Sequence, residues 1–236
     1  MLACFKGFKN FIWDYFTRFE RILWTCSILL VIASFLIFDR TNYLTLVASI
    51  IGVTFLIFNA KGNPIGQFLT IVFSILYGII SYSFAYYGEM ITYLGMTGPM
   101  ALLALISWLR HPYKGDKSQV EVNKLSKREV FFMLALTCVV TFAFYFILEA
   151  LNTTNIIPST FSVTTSFLAV YLTFRRNPYF ALAYATNDLV LIILWTLASI
   201  TNKRYISVLV CFIVFFINDL YGFINWKKMQ RQQKTA

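Results

Sequence analysis

The sequence predicts an all-α integral membrane protein of eight transmembrane helices, and three observations carry that prediction. Hydrophobic residues make up 59% of the 236 residues and charged residues only 13%, whereas soluble domains have about 45–50% and about 25%. The charges are clumped and leave eight apolar runs, each near the roughly 20 residues that a helix needs to cross the hydrocarbon layer. No run alternates in polarity as a barrel strand does. This composition excludes a disordered chain, a nucleic-acid partner and nearly every soluble enzyme.

The eight apolar runs define the predicted spans. In chain order they are 22–38, 41–60, 62–88, 90–109, 130–148, 150–174, 177–202 and 205–226. Only the seventh and eighth contain a charge near the middle, at Asp188 and Asp219. An acidic residue there costs about 2.5–3.5 kcal/mol on insertion scales. Both side chains are therefore expected to face protein or water rather than lipid.

The residues before the first span form a segment of their own. Residues 1–21 carry seven aromatic and four basic side chains. They are too long and too aromatic for a cleavable signal. We expect an amphipathic helix that lies on the inner membrane surface.

The two halves of the chain resemble each other. Asn-Pro pairs at 63–64 and 177–178 follow the second and sixth spans, 114 residues apart, and Trp108 and Trp226 each precede a basic residue at the end of the fourth and eighth spans. Spans two to four thus match spans six to eight with the same orientation. Parallel repeats of this kind occur in transporters, which hold substrate between the halves. The alternative is that any two runs of membrane helices look alike.

The repeat and the charge pattern divide the chain into seven predicted segments. They are a cytoplasmic amphipathic segment (1–21), an extra transmembrane helix (22–38), a first three-helix repeat (41–110), a basic cytoplasmic loop (111–128), a linker helix (129–149), a second three-helix repeat (156–226) and a basic cytoplasmic tail (227–236).

The basic residues predict the orientation. With the N-terminus inside, 17 of the 20 Lys and Arg fall in cytoplasmic segments, and only Arg40, Lys203 and Arg204 fall outside. Cytoplasmic loops of membrane proteins carry this excess. Both termini are therefore expected in the cytoplasm, where the surplus of ten positive charges also contacts anionic lipid.

The seventh span carries the strongest candidate site. Tyr184, Asn187, Asp188 and Trp195 fall on one helical face. A carboxylate, an amide and two aromatic rings on one stripe suit a polar small molecule that contains a ring. The alternative is that these groups only hold helices together, and both interpretations can be true at once.

Two further groups of polar residues complete the predicted site. Side chains on the third span step by three or four residues and form one stripe: Gln67, Thr70, Ser74 and Tyr77. Ser74 is the repeat partner of Asp188, so both stripes are expected to line one central cavity, with Tyr93 of the fourth span facing it. On the eighth span, Asn218, Asp219 and Tyr221 are open to three interpretations, namely a gate, a contact between helices or part of the site.

Other residues receive simpler interpretations. Glu89 and Glu149 lie at the outer ends of spans and are expected to be solvated caps. Pro99, beside two glycines, is expected to kink the fourth span, either as a hinge or as a static bend. The four cysteines form no CxxC pair and do not flank the single histidine, so neither a metal site nor a disulfide framework is expected. Walker, HExxH and serine-elbow motifs are absent, so we expect no cofactor, no catalytic residue and no enzyme.

These features together resemble the PnuC family of bacterial vitamin transporters, beyond about residue 20. The resemblance rests on the span order, the YYGEM turn at 86–90, the polar stripe around Asn187, and Tyr221-Gly222 followed by Trp226 and a basic tail. It implies a SWEET-like 3+1+3 fold in the bacterial inner membrane and a homotrimer. It also implies facilitated diffusion of nicotinamide riboside for NAD biosynthesis, with trapping by a cytoplasmic kinase.

The chain departs from the family pattern at one place. Several members carry tryptophans one and two turns before the asparagine of the seventh span, where this chain has Phe180 and Ala183. Its own tryptophan lies two turns after, at Trp195, so the stacking partner is either Trp195 or Tyr184. Related branches carry thiamine, riboflavin or deoxynucleosides, which leaves the vitamin open.

Two other mechanisms use the aspartates. In proton-coupled uptake, Asp188 would carry the proton. In an intramembrane aspartyl protease, Asp188 and Asp219 would activate water together. The protease is disfavoured because the usual Gly-x-Gly-Asp context is absent. The two aspartates are also expected at depths that differ by roughly 4–5 Å at 1.5 Å per residue.

The charge distribution makes the orientation testable. A cysteine introduced at Ser118, in a chain whose native cysteines are replaced, should react with an impermeant maleimide only after the cells are opened. A matched cysteine at Asn202 should react in intact cells. Labelling of position 118 from outside intact cells would overturn the orientation.

Overall fold

The structure is a computed structural model and describes residues 15–83, 86–153 and 155–235. The predicted amphipathic segment therefore lies outside the described residues, apart from positions 15–21. Within the described part, eight helices are long and apolar enough to cross a membrane.

The helices follow one another with short connections. They are α1 (Arg18–Phe38), α2 (Tyr43–Ala60), α3 (Pro64–Ser83), α4 (Tyr87–Ile91), α5 (Gly98–Arg110), α6 (Lys127–Ala150), α7 (Ile156–Phe174), α8 (Tyr179–Thr201) and α9 (Ile206–Thr235). A two-stranded antiparallel hairpin, β1 (Pro112–Tyr113) and β2 (Asp116–Val120), follows α5, and a 3-10 turn, Lys203–Tyr205, precedes α9.

The fourth span is interrupted by a π-helical segment. Residues Thr92–Thr97 connect α4 to α5 within a span that runs from Tyr87 to Arg110. Pro99 lies in the first turn of α5, where its missing N–H removes little. The wide turn is formed by the residues just before the proline, and Gly98 N–H donates to the Tyr93 carbonyl. Wide turns of this kind occur frequently at functional sites.

Three segment boundaries differ from those that the sequence predicts. The first span begins at Arg18, because Thr17 and Glu20 form a reciprocal capping box. The last helix continues to Thr235, so residues 227–235 extend it rather than form a separate tail. The 111–128 loop contains the β1–β2 hairpin.

The helices pack as two equivalent triplets, α2–α3–α4/α5 and α7–α8–α9. In each triplet the first helix contacts the second and the second contacts the third. Between triplets, α9 packs on α2 and α5 packs on α7, so each last helix lies against the other triplet's first. The linker α6 packs on α7, and α1 packs on α9 and α2. This arrangement is what two parallel three-helix repeats with a linker and an extra helix predict.

Two tryptophans connect the triplets by matching hydrogen bonds. The Trp108 indole N–H donates to the Thr173 carbonyl at 2.9 Å, and the Trp226 indole N–H donates to the Asn59 carbonyl at 2.7 Å. The acceptors lie 114 residues apart, which is the spacing of the two Asn-Pro pairs. The two indole rings meet at 5.4 Å and both side chains are fully buried.

The end of the bundle that contains the two tryptophans also contains the β1–β2 hairpin, and we call this end the basic face. Two residues after the ends of α2 and α7, the backbone adopts a left-handed conformation, at Gly62 (φ 67°) and Arg176 (φ 54°). The carbonyls of these two residues accept from the backbone N–H groups of Val120 and Asn123, at 2.9 and 3.0 Å. A side chain at Gly62 would also meet Met229 Cε at 2.9 Å. The segment after α5 thereby contacts both triplets at equivalent positions.

Helix α1 is held at the basic face by a buried ion pair. Glu20, which is 1% exposed, pairs with Lys61 at 3.2 Å and accepts from the Tyr221 hydroxyl at 2.8 Å. Just before α1, the Tyr15 hydroxyl accepts from Asn63 Nδ2 at 2.8 Å. Burial raises the pKa of Tyr15 to about 12, so its hydroxyl stays protonated and donates to the Ser118 carbonyl.

We expect Lys61→Gln to destabilise the protein without changing ligand binding. The substitution leaves the buried Glu20 carboxylate without its cation, which costs about 1–3 kcal/mol, or roughly 2–10 °C in Tm for a chain of this size. Thermal unfolding of the detergent-purified protein measures the shift. Lys117→Gln, at an exposed lysine of the hairpin, should leave Tm unchanged, and an equal Tm for both variants would contradict this assignment.

Candidate functional site

A small cavity lies between the two triplets, near the middle of the bundle. Its polar lining comes from α2, α3, the π segment, α8 and α9: Asn59, Thr70, Thr97, Asn187, Asp188 and Asp219. Its aromatic lining surrounds these groups: Phe55, Phe73, Tyr93, Phe180, Tyr184 and Phe215. The free volume is about 30 Å³, which is room for about two water molecules.

Asn187 is fixed in the cavity wall by hydroxyl groups of the neighbouring helix. Its Oδ1 accepts from Ser162, Thr165 and Ser166 of α7, at 3.2, 2.9 and 3.1 Å. A buried amide whose oxygen is held in this way has a defined orientation. It can present its remaining hydrogen-bonding capacity to a ligand.

Asp188 and Asp219 face each other across the cavity. They lie on α8 and α9, are 4% and 5% exposed, and their carboxyl groups are within hydrogen-bonding range of each other. Two carboxyl groups can hydrogen-bond only by holding a proton between them. Asp188 Oδ2 has no hydrogen-bond partner. The ion pairs among the described residues are Lys61–Glu20 and Arg175–Glu129, so neither aspartate has a cationic side chain beside it.

The contact between the two aspartates is compatible with the expected difference in depth. Counting residues from the basic end of each span places them roughly 4–5 Å apart along the membrane normal at 1.5 Å per residue, which two side chains on neighbouring helices can bridge.

The stripe on the third span is only partly in the cavity. Thr70 lines it, whereas Gln67 lies behind it and donates to Asn59 Oδ1 at 2.8 Å. Asn59 Nδ2 in turn faces Thr70 Oγ1 at 3.3 Å. Ser74 is fully buried and donates to the Thr70 carbonyl of its own helix. Asn59 was not among the predicted site residues, although it is an amide within an otherwise apolar run.

Trp195 and Tyr77 lie beyond the cavity, toward the face of the bundle opposite the basic face. The Trp195 indole N–H donates to the Tyr77 hydroxyl at 3.0 Å, and both side chains are buried. Trp195 follows Asp188 by seven residues, or about 10 Å along α8. The Tyr77 ring contacts the cavity residue Tyr93 at 4.4 Å. Of the two predicted stacking partners, only Tyr184 lines the cavity.

The structure places Asn218 and Tyr221 away from the cavity. Asn218 Nδ2 donates to Ser27 Oγ of α1 at 3.0 Å. Tyr221 donates to Glu20 and lines a cleft of about 590 Å³ that opens at the basic face. Their neighbour Asp219 faces the cavity because residues one and two positions away point to other sides of a helix. We therefore remove both residues from the predicted site.

The cavity thus contains six of the twelve predicted residues: Thr70, Tyr93, Tyr184, Asn187, Asp188 and Asp219. The phenylalanines of its wall were not predicted, because 25 phenylalanines are spread along the sequence and no pattern distinguishes these four. Chemically, the site offers two neighbouring carboxyl groups, an oriented amide and aromatic walls. This combination suits the binding of a small polar molecule that contains a ring.

Comparison with known proteins agrees with this geometry. A family model described as nicotinamide mononucleotide transporter matches residues 42–228. The nicotinamide riboside transporter PnuC of Neisseria mucosa is 27% identical over 221 residues, which cover 92% of this chain and 83% of that protein. The crystal structure of the vitamin B3 transporter PnuC superposes with a TM-score of 0.81 at 23% identity, covering 92% of this chain and 94% of that one. The chain is therefore a multi-pass membrane transporter, not an enzyme, and belongs to the PnuC family.

Proposed function

We propose that the protein takes up nicotinamide riboside across the bacterial inner membrane by facilitated diffusion. A cytoplasmic kinase then phosphorylates the riboside, which makes uptake one-way. The single observation that carries the proposal is the Asp188–Asp219 pair beside Asn187 in an aromatic cavity between the triplets. The riboside transporter of Neisseria mucosa, which matches most of the chain, supports the same substrate.

The chemistry of the cavity fits a riboside whose ring is a pyridinium cation. In its singly protonated form the carboxyl pair carries one negative charge, which balances a single positive charge. Tyr184 and Tyr93 can stack on a flat cationic ring, an interaction worth about 0.5–2 kcal/mol. The Oδ1 of Asn187 is occupied by hydroxyl groups of α7, so its Nδ2 group is left to donate to a ribose hydroxyl or to the carboxamide oxygen.

The same lining argues against the mononucleotide as the preferred substrate. A phosphate group binds best to Arg or Lys side chains, and no such side chain is among the described residues that line the cavity. The two carboxyl groups would also repel it. A neutral nucleoside would leave the charge of the aspartate pair unbalanced.

Binding requires the cavity to open, because about 30 Å³ is far too small for a nucleoside. The π segment Thr92–Thr97 is placed to allow this. It carries Tyr93 and Thr97 into the cavity wall, and π turns interconvert with α-helix by small local shifts. We propose that movement of this segment, together with a shift between the triplets, admits the substrate.

Three further features belong to the proposal. Both termini and the 111–128 segment are cytoplasmic, as the charge distribution predicts. The protein assembles as a homotrimer, as the family resemblance implies. The basic face contacts anionic lipid, since Lys61, Arg175 and the C-terminal part of α9 lie there.

Proton-coupled uptake is the second candidate, because the aspartate pair can hold a proton in the membrane. Both candidates are compared in vesicles that contain the purified protein and no kinase. Facilitated diffusion predicts that labelled nicotinamide riboside equilibrates to equal concentrations and that an uncoupler changes nothing. Unlabelled riboside should compete best, ahead of nicotinamide mononucleotide, thiamine, riboflavin and deoxynucleosides. Accumulation above the outside concentration that collapses with an uncoupler would favour proton coupling instead.

Asn187→Leu and Asp188→Asn should each lower the affinity for nicotinamide riboside by about tenfold or more. A buried hydrogen bond contributes roughly 0.5–1.5 kcal/mol and a charged one about 1.5–3 kcal/mol, and about 1.4 kcal/mol corresponds to tenfold. Isothermal titration calorimetry measures the change. Thr186→Leu provides the matched control, because Thr186 is exposed on the outer side of the same helix. If both variants bind the riboside as the parent does, the site on α8 is wrong.

A further inference from the structure

Glu89 is a buried glutamate that the proposed transport site does not use. It is the third residue of α4, where a glutamate commonly caps the helix, yet no side-chain cap bond forms there. The side chain turns inward instead and is only 6% exposed. Its Oε2 is buried without a hydrogen-bond partner. The expectation of a solvated cap is therefore wrong, and the carboxylate needs another explanation.

Aromatic residues lie near this carboxylate. Tyr86 and Tyr93 are three and four residues away along the same span, which places them on the side of Glu89, and the Tyr93 ring contacts Tyr77 of α3 at 4.4 Å. Trp195 joins the group, since its ring meets Tyr86 at 5.0 Å and its N–H donates to Tyr77. A carboxylate beside such a cluster of rings is an environment that suits an organic cation.

No cationic side chain in the described structure pairs with Glu89, since neither ion pair among the described residues involves it. The Ser162 hydroxyl of α7 lies near Glu89 but donates to Asn187 Oδ1 at 3.2 Å. A buried carboxylate without a cation is costly in a membrane protein and commonly marks a pathway for ligands or ions.

We propose that Glu89, with Tyr77, Tyr86, Tyr93 and Trp195, forms a second binding site that takes a flat organic cation before it reaches the cavity. The site lies one turn inside the face opposite the basic face, since α4 begins at Tyr87. The proposal rests on the proposed function for the identity of the cation, which is the pyridinium ring of the riboside.

Tyr93 separates the second site from the cavity. Its hydroxyl interacts electrostatically with both Glu89 and Asp188, and it lies on the π segment. A cation on one side of Tyr93 is therefore balanced by Glu89 and on the other side by the aspartate pair. Movement of the π segment would pass the ring from one carboxylate to the next without exposing an unbalanced charge.

The test compares two ligands that differ in charge and little in shape, nicotinamide riboside and its neutral 1,4-dihydro form. Initial uptake rates are measured in vesicles that contain the full chain. Glu89→Gln should slow uptake of the cationic riboside by about tenfold, as expected for a lost charge interaction of this kind, and change the dihydro form by less than about twofold. Glu149→Gln is the matched control, because Glu149 is exposed near the same face, and it should change neither rate.

Three further results distinguish failure of the second site from failure of the transport function. Glu89→Asp keeps the charge and should recover most of the preference for the cation, whereas a purely structural role would be disturbed by either substitution. If Glu89→Gln folds to the parent Tm and slows both ligands equally, or slows neither, the second site does not exist. If the parent transports neither riboside, the proposed function fails instead.

Discussion

The two indole hydrogen bonds at the basic face are the interaction on which the rest of the structure depends. The last turn of a helix leaves carbonyl groups without partners, and in the membrane each such group must find a donor within the protein. Here the final helix of each triplet supplies a tryptophan N–H to the first helix of the other, through Trp108 and Trp226. Ser107 and Asn225, the residues just before them, repeat the pattern by donating to Phe174 and Ala60. The triplets are thus joined at the basic face by four hydrogen bonds, and they meet again on the far side of the cavity, where the Trp195 indole N–H donates to the Tyr77 hydroxyl.

The buried polar groups of the cavity find their hydrogen-bond partners within one triplet. Asn187 is satisfied by three hydroxyl groups from one neighbouring helix, and Asp188 interacts with Asp219 from the other. Each of these groups is therefore supported by its own triplet, and none needs a partner in the opposite one. The triplets can change their separation beside the cavity without breaking these contacts. A contact between triplets that such a change would have to break is the hydrogen bond from Trp195 to Tyr77.

The sequence predicted what depends on composition and spacing along a helix. The hydrophobic runs predict the eight helices, and the Asn-Pro spacing predicts the pairing of the triplets. The cost of an aspartate in lipid predicts that Asp188 faces inward. Which neighbour a polar residue faces depends on packing that periodicity does not contain. Asn218 and Tyr221 share a helical face that points to α1, an element outside the repeat, and the helical period alone does not say whether that face or the face of Asp219 lines the cavity. Glu89 was misjudged for a related reason, since its position at a helix end indicated solvent while the packing of α3 and α7 buries it.

The placement of acidic groups along the path follows from the charge of the proposed substrate. A cation that crosses a low-dielectric interior loses its hydration, and a fixed carboxylate at each stop replaces it. The distance between such positions is limited by how far one side chain can move, and Tyr93 interacts with both Glu89 and Asp188. Tyr93 lies on a π turn, where the backbone can shift. Helix α4 is meanwhile held at Gly88, which packs closely against Leu148 of the linker helix. The linker α6 therefore contacts the fourth span at its end opposite the basic face, next to the segment that we propose moves.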